Sequence, residues 1–141
     1  DSLLAHRYLA LTHLAQNDYV EAASALRPLV SNPDRRPGAL GLAGLGFAKT
    51  GRVTAARRAI DELRGLARIR HVPAYNESLV RIGLGEHDEA ITLLGRAADE
   101  RFPWAIHFNV DPLLDPLRQQ PRFRALLQRA TIPEVALPPA R

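Results

Sequence analysis

Side chains able to do chemistry are few and scattered in this 141-residue chain. It has no cysteine, which removes thiolate nucleophiles, disulfides and cysteine-based zinc sites together. His6 and His13 could share one helix face, but helical metal pairs use closer spacing and no third ligand is evident. His71, His87 and His107 fall in three separate segments, so neither a metal nor another cofactor is expected. Gly41, Gly44 and Gly46 spell G-x-x-G-x-G, the reverse of the dinucleotide fingerprint. No strand pattern precedes them and no suitable acidic residue follows, so helix packing explains them better than phosphate binding. Asp111 and Asp115 resemble paired carboxylates for acid–base work. Each precedes a proline, however, and an Asp-Pro pair is how a helix begins, with Asp as cap and Pro in the first turn. No Ser or Thr lies in a nucleophile elbow. No enzymatic activity is expected.

Charge narrows the partners. The formal net charge is +4 with a pI near 10.3, and of 19 basic residues only Lys49 is lysine. The arginines are interleaved with 15 acidic residues and form no basic block. Arg57, Arg64 and Arg68 fall near one helical stripe with Asp61 and Glu62 between them, which reads as a solvated face carrying i,i+4 ion pairs. Direct nucleic-acid contact is therefore not expected. No run approaches 18 apolar residues and no signal-peptide pattern opens the chain, so no membrane association is expected. A cytoplasmic location is favoured, with the periplasm open if an upstream part spans a membrane. The chain opens at Asp1 without an initiator Met, which reads as a processed product or an excised piece. Oligomeric state is not legible.

The elements that carry these residues are helical. Apolar residues from Leu3 to Ala15 follow a helical period. Gln16-Asn17-Asp18 breaks it, and Tyr19 to about Val30 resumes it, with Asp18 expected as a cap. Ser31 to Gly38 reads as a loop between units. The plan repeats from about Ala39 to Lys49 and from Val53 to about Ile69; a third pair starts after Pro73, turns at Gly85-Glu86-His87 and continues from Asp88 to about Arg101. Three units, 3–36, 37–70 and 71–101, align column by column at a period of 34 residues. Leu11 falls with Leu45 and Leu79, Asn17 with Gly51 and Gly85, Ala22 with Ala56 and Ala90, and Leu26 with Ile60 and Leu94. Asn tolerates positive φ better than most residues, so Asn17 suits a turn column otherwise filled by glycine.

These columns resemble the tetratricopeptide repeat (TPR), a 34-residue helix-turn-helix with small residues where its helices cross. The second unit matches best, through Gly44, Phe47, Gly51, Ala56 and Ile60. His13 and Arg81 replace the aromatic residue of the Phe47 column, and looser first-helix packing is expected in the third unit. The resemblance covers residues 3–101 and implies an all-α fold, a right-handed α-solenoid of about three units. Beyond it, residues 102–130 are expected to form an irregular helical cap, with Trp104, Ile106, Phe108, Leu113, Leu114, Leu117, Phe123, Leu126 and Leu127 over the open end of the array. Its W, VDPLLDPLR, PRF and LL pattern is similar to the ends of TPR segments in bacterial winged-helix regulators, Ser/Thr kinases and nucleotide cyclases. Residues 131–141 are expected to be extended or disordered.

In the TPR superhelix the first helix of each unit lines a concave face. The resemblance thus projects Arg7, Leu11 and Leu14, then Leu45, Ala48 and Lys49, then Tyr75, Leu79 and Ile82 into a groove. The same leucines could equally fill inter-repeat core. An open groove would take an amphipathic or extended peptide, with Arg7 or Lys49 meeting an acidic group. TPR domains that clamp chaperone tails use Asn where Leu11 and Leu42 stand, so that ligand is not expected. A one-base-per-repeat RNA code is also absent, since Leu11, Leu45 and Leu79 are apolar. The resulting expectation is a non-enzymatic protein or peptide interaction module, the regulatory C-terminal part of a larger bacterial signalling or transcription-regulating protein. A small-molecule-sensing domain that controls an attached output domain is the alternative.

Overall fold

Each helical period of the sequence becomes a helix in the computed structural model, which describes residues 2–131, with side chains as far as Arg129. Helices α1 (Ser2–Ala15), α2 (Tyr19–Val30), α3 (Arg36–Lys49), α4 (Val53–Ala67), α5 (Ala74–Gly83) and α6 (His87–Asp99) lead into two short 3-10 helices, Pro103–His107 and Pro112–Leu117, and then α7 (Pro121–Thr131). No strand occurs among the described residues. The expected tail lies, from residue 132 onward, outside them; Thr131 still belongs to α7.

Three antiparallel hairpins result, α1 with α2, α3 with α4 and α5 with α6. Their turns are closed identically. Asp18, Arg52 and Glu86 donate backbone N–H to the carbonyls of His13, Phe47 and Arg81, and Asn17, Gly51 and Gly85 donate to Leu14, Ala48 and Ile82. These are the two bonds of the Schellman motif, which places one left-handed residue after the helix. Asn17 (φ 59°), Gly51 (φ 78°) and Gly85 (φ 77°) take that conformation. The end of α6 repeats the device with Arg101 at φ 58°, which no turn residue in the sequence announces. Asp18 does not cap α2 with its side chain. Its backbone is held in the α1 turn, and its carboxylate instead lies 3.6 Å from His13 Nδ1.

The second helix of every hairpin buries one stripe. Ala22, Ala25, Leu26 and Leu29 of α2 recur as Ala56, Ala59, Ile60 and Leu63 of α4 and as Ala90, Leu93, Leu94 and Ala97 of α6, all buried. Such i, i+3, i+4, i+7 spacing is the geometry of one helix face against a core. Helix α3 is the hub, packed on α2, α4 and α5, whereas α1 leans chiefly on α2. Helix α3 also starts earlier than expected, at Arg36, because Pro37 suits a first helical turn where no N–H partner is needed.

The closest approach is between α3 and α5. A Cβ at Gly44 would lie 2.5 Å from Val80 Cγ2 and 3.1 Å from Ala59 Cβ, and one at Gly41 would lie 2.8 Å from the Asn76 carbonyl oxygen. Gly83 answers from α5, where a Cβ would come 2.8 Å from Ala48 Cβ. Gly46 differs, because its nearest neighbours, Tyr19 and Leu14, would stand 3.8 and 3.9 Å away.

The cap closes over α5 and α6. Phe108, Leu114, Leu117 and Phe123 are fully buried and Leu126 nearly so, while Leu113 and Leu127 are half-buried. Trp104 and Ile106, expected among the covering residues, stay exposed, since the Pro103–His107 turn presents them outward.

The contrast between two glycines of one helix is testable. Gly44→Ala drives a methyl into stiff, β-branched Val80 and is expected to destabilise by about 1–3 kcal/mol. Gly46→Ala meets only ordinary contacts and is expected to stabilise by up to about 1 kcal/mol through helix propensity. Urea unfolding of both variants checks the pair, and equal effects would contradict the close α3–α5 approach.

Candidate functional site

The residues projected into a concave groove divide by burial. Leu14, Leu45, Tyr75, Leu79 and Ile82 are buried in the core. Arg7, Leu11 and Ala48 are half-buried, and Lys49 is exposed. Two causes account for this. Helices α3 and α5 meet too closely to leave a channel between them, and the cap packs its aromatic rings on Tyr75, at 5.2 Å for Phe102 and 5.9 Å for Phe108. An apolar floor open along all three units is therefore not present. The accessible remnant is Arg7, Leu11 and Lys49, on α1 and α3. Gly44, Phe47, Ala22, Ala56, Ala90, Gly51 and Gly85 all fall in the packing or turn positions described above.

Polar side chains converge at the cap. Asp111 is 4% exposed, and its carboxylate accepts from the Tyr75 hydroxyl, from Trp104 Nε1 at 3.0 Å and from the Leu113 backbone N–H at 3.0 Å. The helix-capping role expected of Asp111 is thus one of three. Trp104 contributes through its indole N–H and not through burial. Burial, reinforced by the neighbouring Asp111 carboxylate, pushes the Tyr75 phenol well above its ordinary range, with Arg7 opposing weakly, so Tyr75 remains a donor. With its oxygens engaged by three donors, Asp111 serves as a latch between α5 and the cap. Asp115 instead accepts from Arg118 Nε at 2.7 Å.

A second polar array links α4, α5 and the turn into α6. Arg57 donates to both oxygens of Glu86 at 2.7 and 2.9 Å. Arg81 bridges Glu86 at 2.9 Å and Glu77 at 3.2 Å, and Arg64 ends the line on Glu77 at 2.9 and 3.2 Å. The side chain of Glu77 is 9% exposed and that of Arg81 15%. Hydrogen bonds from Arg57 are the main reason that the Glu86 carboxyl is pulled down to about 2, with Arg81 adding to them and partial burial working the other way. The array corrects two expectations. Arg57 and Arg64 pair with the next hairpin and not along their own helix. Arg81 does not loosen the third unit, because its guanidinium ties two carboxylates where the second unit has a phenylalanine. Arg57 and Glu86 lie 29 positions apart and are brought together by tertiary packing.

A third feature was missed. Between α2 and α3 lies a cleft of about 230 Å³, walled by Leu14, Tyr19, Leu26, Leu42 and Phe47 and floored at Gly46. Arg27 of α2 and Arg52 of the α3–α4 turn stand at its exposed edge. The alanines and the glycine that make the room read in the sequence only as packing residues. Among the described residues no cluster of three His, Cys, Asp or Glu could hold a metal ion, and no helix is long and apolar enough to cross a membrane.

Comparison with protein-family models, with curated proteins and with solved structures returned no match. The fold among the described residues is all-helical, built from three antiparallel helical hairpins followed by two 3-10 helices and α7.

Both polar arrays make predictions. Glu86 titrates in the folded state near 2, below the ordinary carboxylate value of 4.5, so its stabilisation is complete above about pH 5 and is lost as pH falls toward 2. Urea unfolding of Glu86→Gln should show a deficit of about 1 kcal/mol at pH 7 that closes on acidification, and a deficit independent of pH would count against the array. At the latch, Tyr75→Phe should cost about 1–2 kcal/mol. Asp111→Ala should cost more and shift Trp104 fluorescence to longer wavelength below the main transition; an unchanged emission spectrum would contradict the latch.

Proposed function

We propose that the chain is a TPR-type helical repeat, a right-handed solenoid of three units with a C-terminal cap, and that it acts as a non-enzymatic module binding a protein or peptide. The observation that carries this reading is the recurrence, every 34 residues, of one turn and one buried stripe. Asn17, Gly51 and Gly85 close the same hydrogen bonds, and Ala22, Ala56 and Ala90 occupy the same buried place. Stacked hairpins of this kind expose long, rigid surfaces without requiring a catalytic pocket. The reading extends to a regulatory role at the C-terminal end of a larger bacterial signalling or transcription-regulating protein, most naturally in the cytoplasm.

The partner meets the exposed side of α1 and α3, where Arg7, Leu11 and Lys49 remain accessible. The two cations suit an acidic segment, and the short apolar surface between them limits affinity. Association costs several kcal/mol in lost freedom, so an affinity of about micromolar is expected. Selection of a 12-residue peptide-display library against the folded protein tests this. Acidic peptides should be enriched, and Lys49→Glu together with Arg7→Glu should weaken them at least fivefold without changing the melting temperature. No enrichment above background would defeat the reading, and stabilisation by small metabolites alone would replace it with a sensor.

A further inference from the structure

We infer that the cleft between α2 and α3 is an anchor site for a single apolar side chain of a partner peptide that carries a carboxylate beside it. The inference rests on the interaction-module reading and adds to it the place and chemistry of the anchor.

Three observations point there. The first is size. A cleft of about 230 Å³ is below the range of about 300–1,000 Å³ in which drug-sized ligands are enclosed, but it suits one leucine or phenylalanine side chain. The cleft is also open along one side, as a segment passing over the surface requires. The second is its walls. Tyr19, Leu26, Leu42 and Phe47 provide apolar surface on two helices, while Gly46 leaves the space unfilled, with a Cβ there still 3.8 Å from Tyr19. Exposed Val20 extends the apolar surface at the mouth.

The third observation is charge. Two other surface hollows of this chain are lined by arginines matched to carboxylates. Between α6 and α7, Arg122 pairs with Asp88 and Arg129 with Asp99. Beside α5, Arg64 and Arg81 pair with Glu77. At the α2–α3 cleft no acidic residue lines the wall, and neither Arg27 nor Arg52 has a hydrogen-bond or ion-pair partner for its guanidinium among the described residues. Two unmatched guanidiniums on separate elements, beside an apolar hollow, are complementary to an apolar residue next to Asp or Glu. Lys49 precedes Thr50 and Arg52 at the same end of α3, so a peptide held by Lys49 passes the mouth of the cleft.

The test uses the same 12-residue display library on the unaltered protein and on two variants, with binding of the enriched peptides then measured by fluorescence polarisation. Ala23→Trp places an indole at the mouth from an exposed position of α2, and Arg27→Glu with Arg52→Glu reverses both edge charges. Neither substitution touches a buried residue, and unchanged melting temperatures confirm folding. Peptides selected on the unaltered protein should share Leu or Phe within two positions of Asp or Glu. Each variant should weaken them at least tenfold, and replacing their apolar residue by Ser should do the same. Peptides that depend on Lys49 but are indifferent to both cleft variants would overturn the anchor and leave the interaction module standing. Absence of any enriched peptide would remove both.

Discussion

The close approach of α3 and α5 is the constraint on which the rest of the structure depends. At Gly41 the absence of a side chain brings the α3 backbone against that of α5 at Asn76, Gly83 answers against Leu45 and Ala48, and Gly44 leaves room for the Val80 side chain. Helix α3 thereby becomes a hub with neighbours on three sides, and α5 is buried almost all round from Ala74 to Val80. A helix buried on most sides reads as apolar or small all round, which is why α3 looks so different from amphipathic α4 and α6, whereas α5 buries Asn76 and Glu77 among its apolar residues. The same closeness removes any channel between the first helices of these two hairpins, and with it most of the apolar floor that a concave groove would need.

Where the packing could not be apolar, it is ionic and connected. Glu77 and Glu86 would each be costly as isolated carboxylates at partly buried positions. Their mutual partner Arg81, with Arg57 and Arg64 outside it, satisfies them in one continuous array. A single surface pair contributes little, but a connected array spreads the ordering of long side chains over several bonds. It also joins α4 to α5 where the direct packing between those two helices is thinner than between α3 and α5. The cap is fixed on similar terms, by Asp111 joining Tyr75, Trp104 and the turn at Leu113 in one buried cluster. In both places the polar groups hold elements together and are saturated by doing so, whereas the guanidiniums of Arg27 and Arg52 at the α2–α3 cleft have no partner among the described residues.

Much of the architecture was legible before any coordinates. The helices, their antiparallel pairing and the positions of the turns follow from the hydrophobic period and from Asn17, Gly51 and Gly85, because a left-handed residue after a helix is a local requirement that few residue types meet. The buried stripe of α2, α4 and α6 follows in the same way, since Ala22, Ala56 and Ala90 recur with their large apolar neighbours. Arg101 marks the limit of such reading: it closes the same turn at the end of α6 with a positive φ, and nothing in its own chemistry asks for it.

The sequence by itself therefore determined which segments are helical, where they reverse and which face of each second helix turns inward, all properties carried by residues within one or two turns of each other. Only the tertiary structure decided the rest. It closed the first-helix face over Leu45, Tyr75, Leu79 and Ile82, matched Arg57 with Glu86 across 29 positions, and opened the α2–α3 cleft beside two arginines that have no ion-pair partner among the described residues. The reason is physical: burial, ion pairing and cavities depend on the distance between helices. That distance is set jointly by the small residues of both partners, and no one segment encodes it alone.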